Sequence, residues 1–426
     1  MMTENIKEKL ASSISLKLTI VFFLILLMQI PLSSIKSLIY ERQDMEHQAQ
    51  RKIAKRWGAE QSIGTPILQL KYQKIMQDKA INIDRVFHSQ ASTIDISLQA
   101  QKRYLGIYQA AVFVSKVKIT GTIKTNSSKQ ESGKLTGRYL FIPLKHIKGL
   151  KKIESIRIND ELLQRLPQQH QISNYNGFAI KLEDKHDVSS LRYEIKVAIA
   201  GSKQLQILPL AQQTQVNMQS NWSSPSFIGD YLPDVRTIDA EGFKANWQIN
   251  QLKVLSPTTK HFIQQQEQKF GVEILIPANT YQVNVRSVKY SFLIIVLTFA
   301  GFFLTELFFK VRLHPFQYLL IGFSLSTFYL LLLSMSEYLS FNLSFLIAKT
   351  AIVVLISSYC SVVLHEKKRG LYVAMVFSLL YGFIFILVKA EQTSLLMGSL
   401  GILFVLALVM YLTRKIDWYA VGTGKD

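Results

Sequence analysis

The sequence predicts an α-helical integral membrane protein with six spans, into which a large, mainly β domain of packed antiparallel sheets is inserted outside the cytoplasm. Three observations predict this fold. Six long apolar stretches interrupt the chain, one near the N-terminus and five near the C-terminus. Residues 41–287 between them contain no such stretch. Within that segment, apolar and polar residues alternate, as is typical of half-buried β-strands.

The composition divides the chain in the same way. The 426 residues are 49% hydrophobic and yet carry a net charge of +20. Residues 41–287 hold 34 basic and 21 acidic side chains, a net charge of +13, so most of the charge lies away from the apolar stretches. This distribution excludes a soluble enzyme, a disordered chain and a collagen-like repeat.

The five C-terminal stretches hold roughly 18–23 residues each, and the first holds about 15. All six are predicted to be transmembrane helices, because about 20 apolar residues are enough for an α-helix to cross about 30 Å of hydrocarbon. The six predicted spans are residues 18–32, 290–309, 313–335, 343–364, 371–388 and 394–412.

Lysine and arginine residues predict the orientation of the spans, because short basic loops stay on the cytoplasmic side. If the N-terminus is cytoplasmic, so are the turn with Lys310 and Arg312, the loop 365–369 and the tail that begins at Arg414, and all of these are basic. The predicted parts are a tail with the first span (1–40), the extracytoplasmic domain (41–287), a five-helix bundle (288–412) and a cytoplasmic tail (413–426).

The first span also has the basic start and short apolar run of a secretory signal. Residues 31–36 lack an Ala-x-Ala cleavage pattern, so we favour an uncleaved signal anchor over a cleaved signal. The one cysteine, Cys360, falls in the fourth span. The extracytoplasmic domain is therefore expected to be stabilised by its own core, without disulfides.

Residues 41–59 are charged, with heptad-like apolar spacing, which predicts a short helix that continues from the first span. Beyond it no helical pattern alternates with the strands, so antiparallel sheets are favoured over βαβ units. The clearest predicted strands are residues 93–98, 108–119, 193–199, 204–208, 215–219 and 243–248.

Lysines are concentrated in two parts of this domain. Two interpretations are open: contact with anionic lipid or lipopolysaccharide head groups, or a solvated strand face, which we favour. Nucleic acid is not expected as a partner outside the cytoplasm. The lysines concerned are Lys145, Lys148, Lys151 and Lys152, and Lys116, Lys118 and Lys124.

Sequence motifs of catalysis or of metal and nucleotide binding are not found. The chain has no His-Glu-x-x-His, Gly-x-Ser-x-Gly, P-loop or dinucleotide-binding pattern. Its eight histidines are scattered without the spacing of metal ligands. We therefore expect no catalytic residue, cofactor or metal site.

The segment 221–233 is the densest mixture of polar and aromatic residues. Pro225, Gly229 and Pro233 predict a rigid loop rather than a central strand. The loop is either a recognition surface or a structural element that packs its aromatic side chains against a sheet end, and we favour the second. The aromatic side chains concerned are Trp222, Phe227 and Tyr231.

Ionisable residues in the spans are candidate functional residues, because a charge is costly in a membrane. Glu306 is predicted to form an interfacial ion pair with the basic residues that follow it, Lys310, Arg312 and His314. Glu337 and Lys349 are predicted to form a clamp across a helical hairpin; a polar pathway is the alternative. Pro315 suits the first turn of a helix.

Several segments together resemble the CreD-type inner membrane proteins, a family of cell envelope integrity proteins. The strongest is Asn221-Trp-x-x-Pro-Ser-Phe-Ile-Gly-Asp-Tyr-Leu-Pro233. The others are residues 242–247, 288–299, 314–322, 328–337 and 412–419, together with Glu306. The resemblance covers nearly the whole chain and is most specific from Asn221 onwards.

The resemblance marks family-motif positions without assigning a role to any of them. Two departures are visible: Tyr338 stands where the family usually has histidine, and residues 153–160 are divergent. The motif positions are Asn221, Trp222, Pro225, Ser226, Phe227, Gly229, Asp230, Pro233, Glu306, His314, Pro315, Tyr318, Glu337, Asp417, Trp418 and Tyr419.

The resemblance implies a multi-pass protein of the bacterial inner membrane, with residues 41–287 in the periplasm. It implies a non-enzymatic role in envelope integrity and in the response to β-lactam or detergent stress. The expected partners are the lipid bilayer and anionic lipid, lipopolysaccharide or envelope proteins; no oligomeric state is predicted. The alternatives are a transporter or lipid-handling protein that uses the helix bundle, and a sensor.

Overall fold

The computed structural model describes residues 14–76, 79–125, 134–164, 167–172, 174–183, 189–250, 268–276, 280–309, 313–364, 366–390 and 393–414. The chain forms two compact units. The helical unit comprises residues 1–45 and 278–426, and the β unit comprises residues 46–277.

The described residues begin with an apolar helix, which is followed by a helix that becomes charged. Helix α1, Ile14–Leu27, is almost wholly apolar, and helix α2, Gln29–Trp57, carries charged residues over its second half. Residues 16–57 are helical almost without interruption. The predicted helix at 41–59 is thereby confirmed, ending two residues earlier.

The five C-terminal apolar stretches are helical as well. Helix α3, Thr280–Lys289, leads into α4, Ser291–Phe309. The remaining helices are α5, Pro315–Ser336, α6, Phe341–Val363, α7, Lys367–Lys389, and α8, Ser394–Thr413.

Five helices in the described part of the chain are long and apolar enough to cross a membrane, and a shorter apolar helix, Leu396–Tyr411, follows. Between 11% and 50% of the most apolar window of each long helix is buried by protein. The remaining apolar surface of these helices is not covered by protein. It fits contact with lipid hydrocarbon, because a helix that is apolar on all sides is typical of a membrane span. The predicted fold class is confirmed.

The β unit is built from seventeen described strands, numbered in chain order. They are β1 Gln61–Gly64, β2 Ile67–Met76, β3 Lys79–His88, β4 Ala91–Leu105, β5 Tyr108–Lys124, β6 Lys134–Pro143, β7 Leu150–Ile158, β8 Glu161–Leu162, β9 Gln168–Ile172, β10 Tyr175–Lys181, β11 Ser190–Ser202, β12 Gln204–Leu208, β13 Gln213–Ser220, β14 Pro225–Gly229, β15 Val235–Ile238, β16 Phe243–Asn250 and β17 Phe270–Ile274. All six of the clearest predicted strands lie within these elements.

Three sheets result. The largest has the order β15-β16-β13-β4-β5-β11-β7-β8; the others have the orders β3-β2-β6-β10-β9 and β1-β12-β17-β14. Pairing is antiparallel, as predicted, except between β1 and β12 and between β4 and β13. Parallel neighbours cannot be joined by a tight hairpin, so these two pairings connect residues far apart in the chain.

A shared apolar core lies under the sheets. Strand β4 alternates buried and accessible residues over 91–100, so that Ile94, Ile96 and Leu98 point inwards. Trp247 and Phe113 are among the largest side chains that are completely buried. This core contains no disulfide, since Cys360 lies in α6, where it is free and buried.

The prediction that segment 221–233 is a loop is wrong for Pro225–Gly229, which forms strand β14. It pairs antiparallel with β17 at the edge of the four-stranded sheet. Proline is tolerated there, since an edge strand can leave one of its sides without ladder hydrogen bonds. The prediction that this segment is not a central strand is correct.

Candidate functional site

Asn221 is the first residue of the motif segment 221–233, and its side chain hydrogen-bonds to the backbone of strand β4. The Asn221 side-chain oxygen accepts a hydrogen bond from the Ala100 N–H at 2.8 Å, and its amide donates to the Ala100 carbonyl at 3.2 Å. Asn221 follows β13, whose pairing with β4 ends at Ser220 and Leu98. The side chain therefore satisfies the backbone of β4 where the partner strand has ended.

The three aromatic residues of the segment pack against the core rather than standing free. Trp222 donates its indole N–H to the Leu275 carbonyl at 2.8 Å. The Phe227 ring meets the Trp247 ring edge-on at 5.8 Å. Tyr231 donates its hydroxyl to the Gln268 side chain at 2.6 Å. The packing interpretation accounts for these contacts.

Gly229 and Asp230 attach the end of β14 to the start of β17. Gly229 has φ +99°, and a Cβ at this position would collide with the Lys269 carbonyl. The Asp230 carboxylate accepts a hydrogen bond from the Lys269 N–H at 2.9 Å, and the Asp230 N–H donates to the Lys269 carbonyl at 2.8 Å. Glycine is required here because the conformation and the space both exclude a side chain.

In the helical unit, Glu306 of α4 lies at the centre of a polar cluster close to the start of α5. Its carboxylate is 2.6 Å from the Lys17 ammonium of α1. It also accepts hydrogen bonds from the Leu313 N–H at 3.2 Å and from the Tyr318 hydroxyl at 3.4 Å. Only 9% of the Glu306 side chain is exposed, so the carboxylate has exchanged water for one cation and two donors.

The structure tests one of the three ion-pair partners predicted for Glu306, which is His314. Lys310 and Arg312 lie outside the described residues, and His314 has another role as the N-cap of α5. The His314 ring accepts from the Phe316 N–H at 3.2 Å, and the Gln317 side chain accepts from the His314 N–H at 2.9 Å. This reciprocal capping box, with Pro315 in the first turn, starts the helix. Capping of α5, rather than an ion pair with Glu306, is therefore the role of His314.

A second polar cluster surrounds Glu337 at the C-terminal end of α5. Its carboxylate lies 3.6 Å from Arg42 of α2 and accepts from the Tyr281 hydroxyl at 3.4 Å. An anion is unfavourable at a helix C-terminus, and the arginine offsets it. The predicted clamp with Lys349 is wrong: within the described part of the chain, Lys349 forms no ion pair or hydrogen bond.

Two histidines of the β unit, His88 and His170, are partly buried and hydrogen-bonded. Burial lowers the pKa of His88 to about 4, and its Nδ1 lies 2.9 Å from the Leu210 carbonyl. His170 contacts the Gln69 side chain at 2.9 Å, and burial lowers its pKa as well. No group of three or more His, Cys, Asp or Glu that could hold a metal ion occurs among the residues that the structure describes.

Comparison with known proteins gives the family. The profile described as Inner membrane protein CreD matches residues 13–419. The chain belongs to the CreD family. The relative named Inner membrane protein CreD from Escherichia coli (strain K12) is 28% identical over 432 residues, covering 98% of this chain and 96% of the relative.

Two solved structures that match this CreD-family chain do so at low similarity. The M1 zinc metallopeptidase from Deinococcus radiodurans is 8% identical with a TM-score of 0.23, covering 44% of this chain and 42% of the other. Native leukotriene A4 hydrolase from Saccharomyces cerevisiae is 10% identical with a TM-score of 0.23, covering 39% and 28%. Similarity at this level carries no inference about fold or activity.

The motif positions of the CreD resemblance fall into separate groups. Those of 221–233 lie in or beside strand β14 of the β unit, Glu306 lies in α4, and His314, Pro315, Tyr318 and Glu337 lie at the two ends of α5. Asp417, Trp418 and Tyr419 lie outside the described residues. Tyr338, the departure from the family pattern, is 76% exposed. Lys17 and Arg42 were not predicted as the ion-pair partners of Glu306 and Glu337. The available signal was that both are basic residues close to the first apolar stretch.

Proposed function

We propose that this chain is a non-enzymatic, multi-pass protein of the inner membrane that supports envelope integrity under β-lactam or detergent stress through a periplasmic β domain. The observation that carries the proposal is the match to the CreD profile along residues 13–419. A large β unit in a chain of apolar helices fits a protein that stays in the membrane and presents its folded surface to the envelope.

The bonding of the motif residues supports a structural role for them. Asn221 and Asp230 are hydrogen-bonded to backbone groups of neighbouring strands. Glu306 and Glu337 are held by cations of the N-terminal helices. General acids, bases and nucleophiles act on substrate groups within hydrogen-bond reach, whereas these four side chains already bond to the protein itself.

The bonding also bears on the transporter alternative. That hypothesis depends on three charged residues of the spans, Glu306, Glu337 and Lys349. Two of them are fixed in ion pairs with Lys17 and Arg42. Charge pairs of this kind stabilise helix contacts without a transported ligand.

The cellular role is tested by complementation in a strain that lacks its own CreD-family gene. We expect the wild-type chain to restore survival in detergent and in a β-lactam. A Glu306→Gln variant is expected to restore survival in proportion to the amount of protein that reaches the membrane, since its role is structural. Equal survival with and without the wild-type chain would contradict the proposal.

The periplasmic placement of residues 41–287 is tested by labelling. Tyr104 is 65% exposed, and Tyr104→Cys in a Cys360→Ser background places one thiol on the β unit. We expect a membrane-impermeant maleimide added to cells with a permeabilised outer membrane to label it without lysis. The matched control is a thiol at Lys367 in the same background, at the cytoplasmic end of the predicted topology. Labelling of the control thiol alone would reverse the orientation.

A further inference from the structure

An open groove lies along the outward face of the largest sheet. Its volume is about 560 Å³, within the range of about 300–1,000 Å³ that ligand sites occupy. It crosses seven consecutive strands, from β15 to β7. At about 4.8 Å per strand, six spacings give a length of roughly 29 Å. This shape suits an extended chain more than a compact small molecule.

Two transverse rows of polar side chains line the groove, because outward residues on neighbouring strands stand in register. The first row pairs Lys244 with Gln219, Gln219 with Ser97, and Ser97 with Lys116. Lys244 and Lys116 are thus three strand spacings apart, or about 14 Å. Both are exposed, and neither forms an ion pair with another described residue.

The second row is a chain of side-chain amides that ends on an acid. The Asn246 amide donates to Asn217, and the Asn217 amide donates to the Asp95 carboxylate at 2.8 Å. Beyond Asp95 in register stand Lys118 and Lys196, which lie 3.4 Å and 3.1 Å from the Glu194 carboxylate. The row therefore offers fixed donors and acceptors beside the two unpaired lysines of the first.

The groove carries both positive and negative side chains, and this mixture favours some anionic ligands over others. Lys116 and Lys244 call for anionic groups on the ligand. Asp95 and Glu154, which also line the groove, need hydrogen-bond donors and would repel a dense array of phosphates. A carboxylated sugar chain carries anionic groups and hydroxyl donors on the same backbone, and it is extended.

We infer that this groove binds an acidic polysaccharide strand, with sugar carboxylates at Lys116 and Lys244 and sugar hydroxyls at the Asp95–Asn217–Asn246 row. The inference rests on the proposed function, since it places the β unit where envelope glycans occur. An anionic membrane surface is the competing partner, because lysines near a bilayer bind acidic head groups.

The test measures binding to the purified full chain in detergent, with oligogalacturonate as the probe. The groove variant is Lys116→Gln/Lys244→Gln. The control variant is Lys102→Gln/Lys181→Gln, two lysines that are exposed, do not line the groove and remove the same charge. We expect about tenfold weaker binding for the groove variant and wild-type affinity for the control. Affinity for the wild-type chain should fall with added salt.

Three results would overturn the inference: equal binding by the groove variant and the wild type, equal binding of a neutral glucan oligomer, or binding of phosphatidylglycerol vesicles without binding of oligogalacturonate. Complementation separates it from the proposed function. If the wild-type chain restores survival but the groove variant binds oligogalacturonate as tightly as the wild type, the groove inference fails while the envelope role stands. If the wild-type chain has no effect on survival, the envelope role fails, and binding is judged on the affinities alone.

Discussion

The two units of the molecule use their motif residues in different ways. In the β unit, Asn221 and Asp230 bond to backbone N–H and C=O groups at strand ends. In the helical unit, Glu306 and Glu337 bond to side-chain cations. The difference follows from the surroundings. A water-exposed domain gains stability by burying apolar surface, and its polar groups close the edges of sheets, whereas helices in lipid gain little from apolar burial and depend on packing and polar contacts.

This comparison predicts that the most damaging single change is in the β unit. Trp247 is completely buried, and its ring contacts Phe227 and Phe270 at 5.8 Å and 5.5 Å. Trp247→Ala should cost about 3–5 kcal/mol of unfolding free energy, because a large cavity replaces the ring. Denaturant unfolding followed by circular dichroism measures the loss. Val235→Ala, at a position 65% exposed, is the control and should change the free energy by less than about 0.5 kcal/mol.

The next largest effect is expected in the helical unit. Glu306→Gln leaves the Lys17 ammonium without its carboxylate, and we expect a loss of about 2 kcal/mol, below the value for a fully buried pair because Lys17 keeps access to solvent. Unfolding of the full chain in mixed micelles measures it. The control is Glu366→Gln, which removes an exposed pair with Arg369 and should cost under about 1 kcal/mol.

The exchange Lys17→Glu/Glu306→Lys sharpens this second prediction. The double variant should recover much of the stability that either single variant loses, since the opposite charges face each other again. Additive losses would mean that the two residues act independently, and the ion pair would then not hold α1 to α4.

A third prediction isolates backbone geometry in the β unit. Gly229→Ala should cost about 1–3 kcal/mol, because the residue has φ +99° and the new methyl group meets the Lys269 carbonyl. Gly106 is the matched control: it also has positive φ, at +62°, but nothing lies within 4 Å of the place that a methyl group would take there. Gly106→Ala should cost only about 1 kcal/mol. Equal thermal shifts for both variants would refute the role of the Lys269 contact.

The sequence predicted the individual strands and helices more readily than the contacts between distant residues. Alternation placed the strands at 93–98 and 204–208, and apolar length placed the spans, because both patterns are local. Strand β14 was not predicted because Pro225 argues against a strand, since proline is rare in sheets. Its edge pairing is with β17, which is distant in the chain. Lys17 and Glu306 are 289 residues apart, so no local pattern links them. The groove row was not predicted: Lys116 was grouped only with Lys118 and Lys124, its neighbours in sequence, whereas strand register places it in one row with Lys244.

The smallest change in stability is expected at Glu337, where the predicted clamp with Lys349 was wrong. Variants at this position test whether Arg42 or Lys349 pairs with Glu337. The Arg42 contact is 3.6 Å long and Arg42 is 39% exposed, so Arg42→Ala should cost under about 1 kcal/mol. The exchange Arg42→Glu/Glu337→Arg should recover that loss, whereas Glu337→Lys/Lys349→Glu should not, because Lys349 makes no contact with Glu337. Recovery by the Lys349 exchange alone would restore the hairpin clamp. Recovery by the Arg42 exchange would show that Arg42 of α2 holds the C-terminal end of α5, much as Lys17 of α1 pairs with Glu306 of α4, and removing the N-terminal helices would then release both contacts.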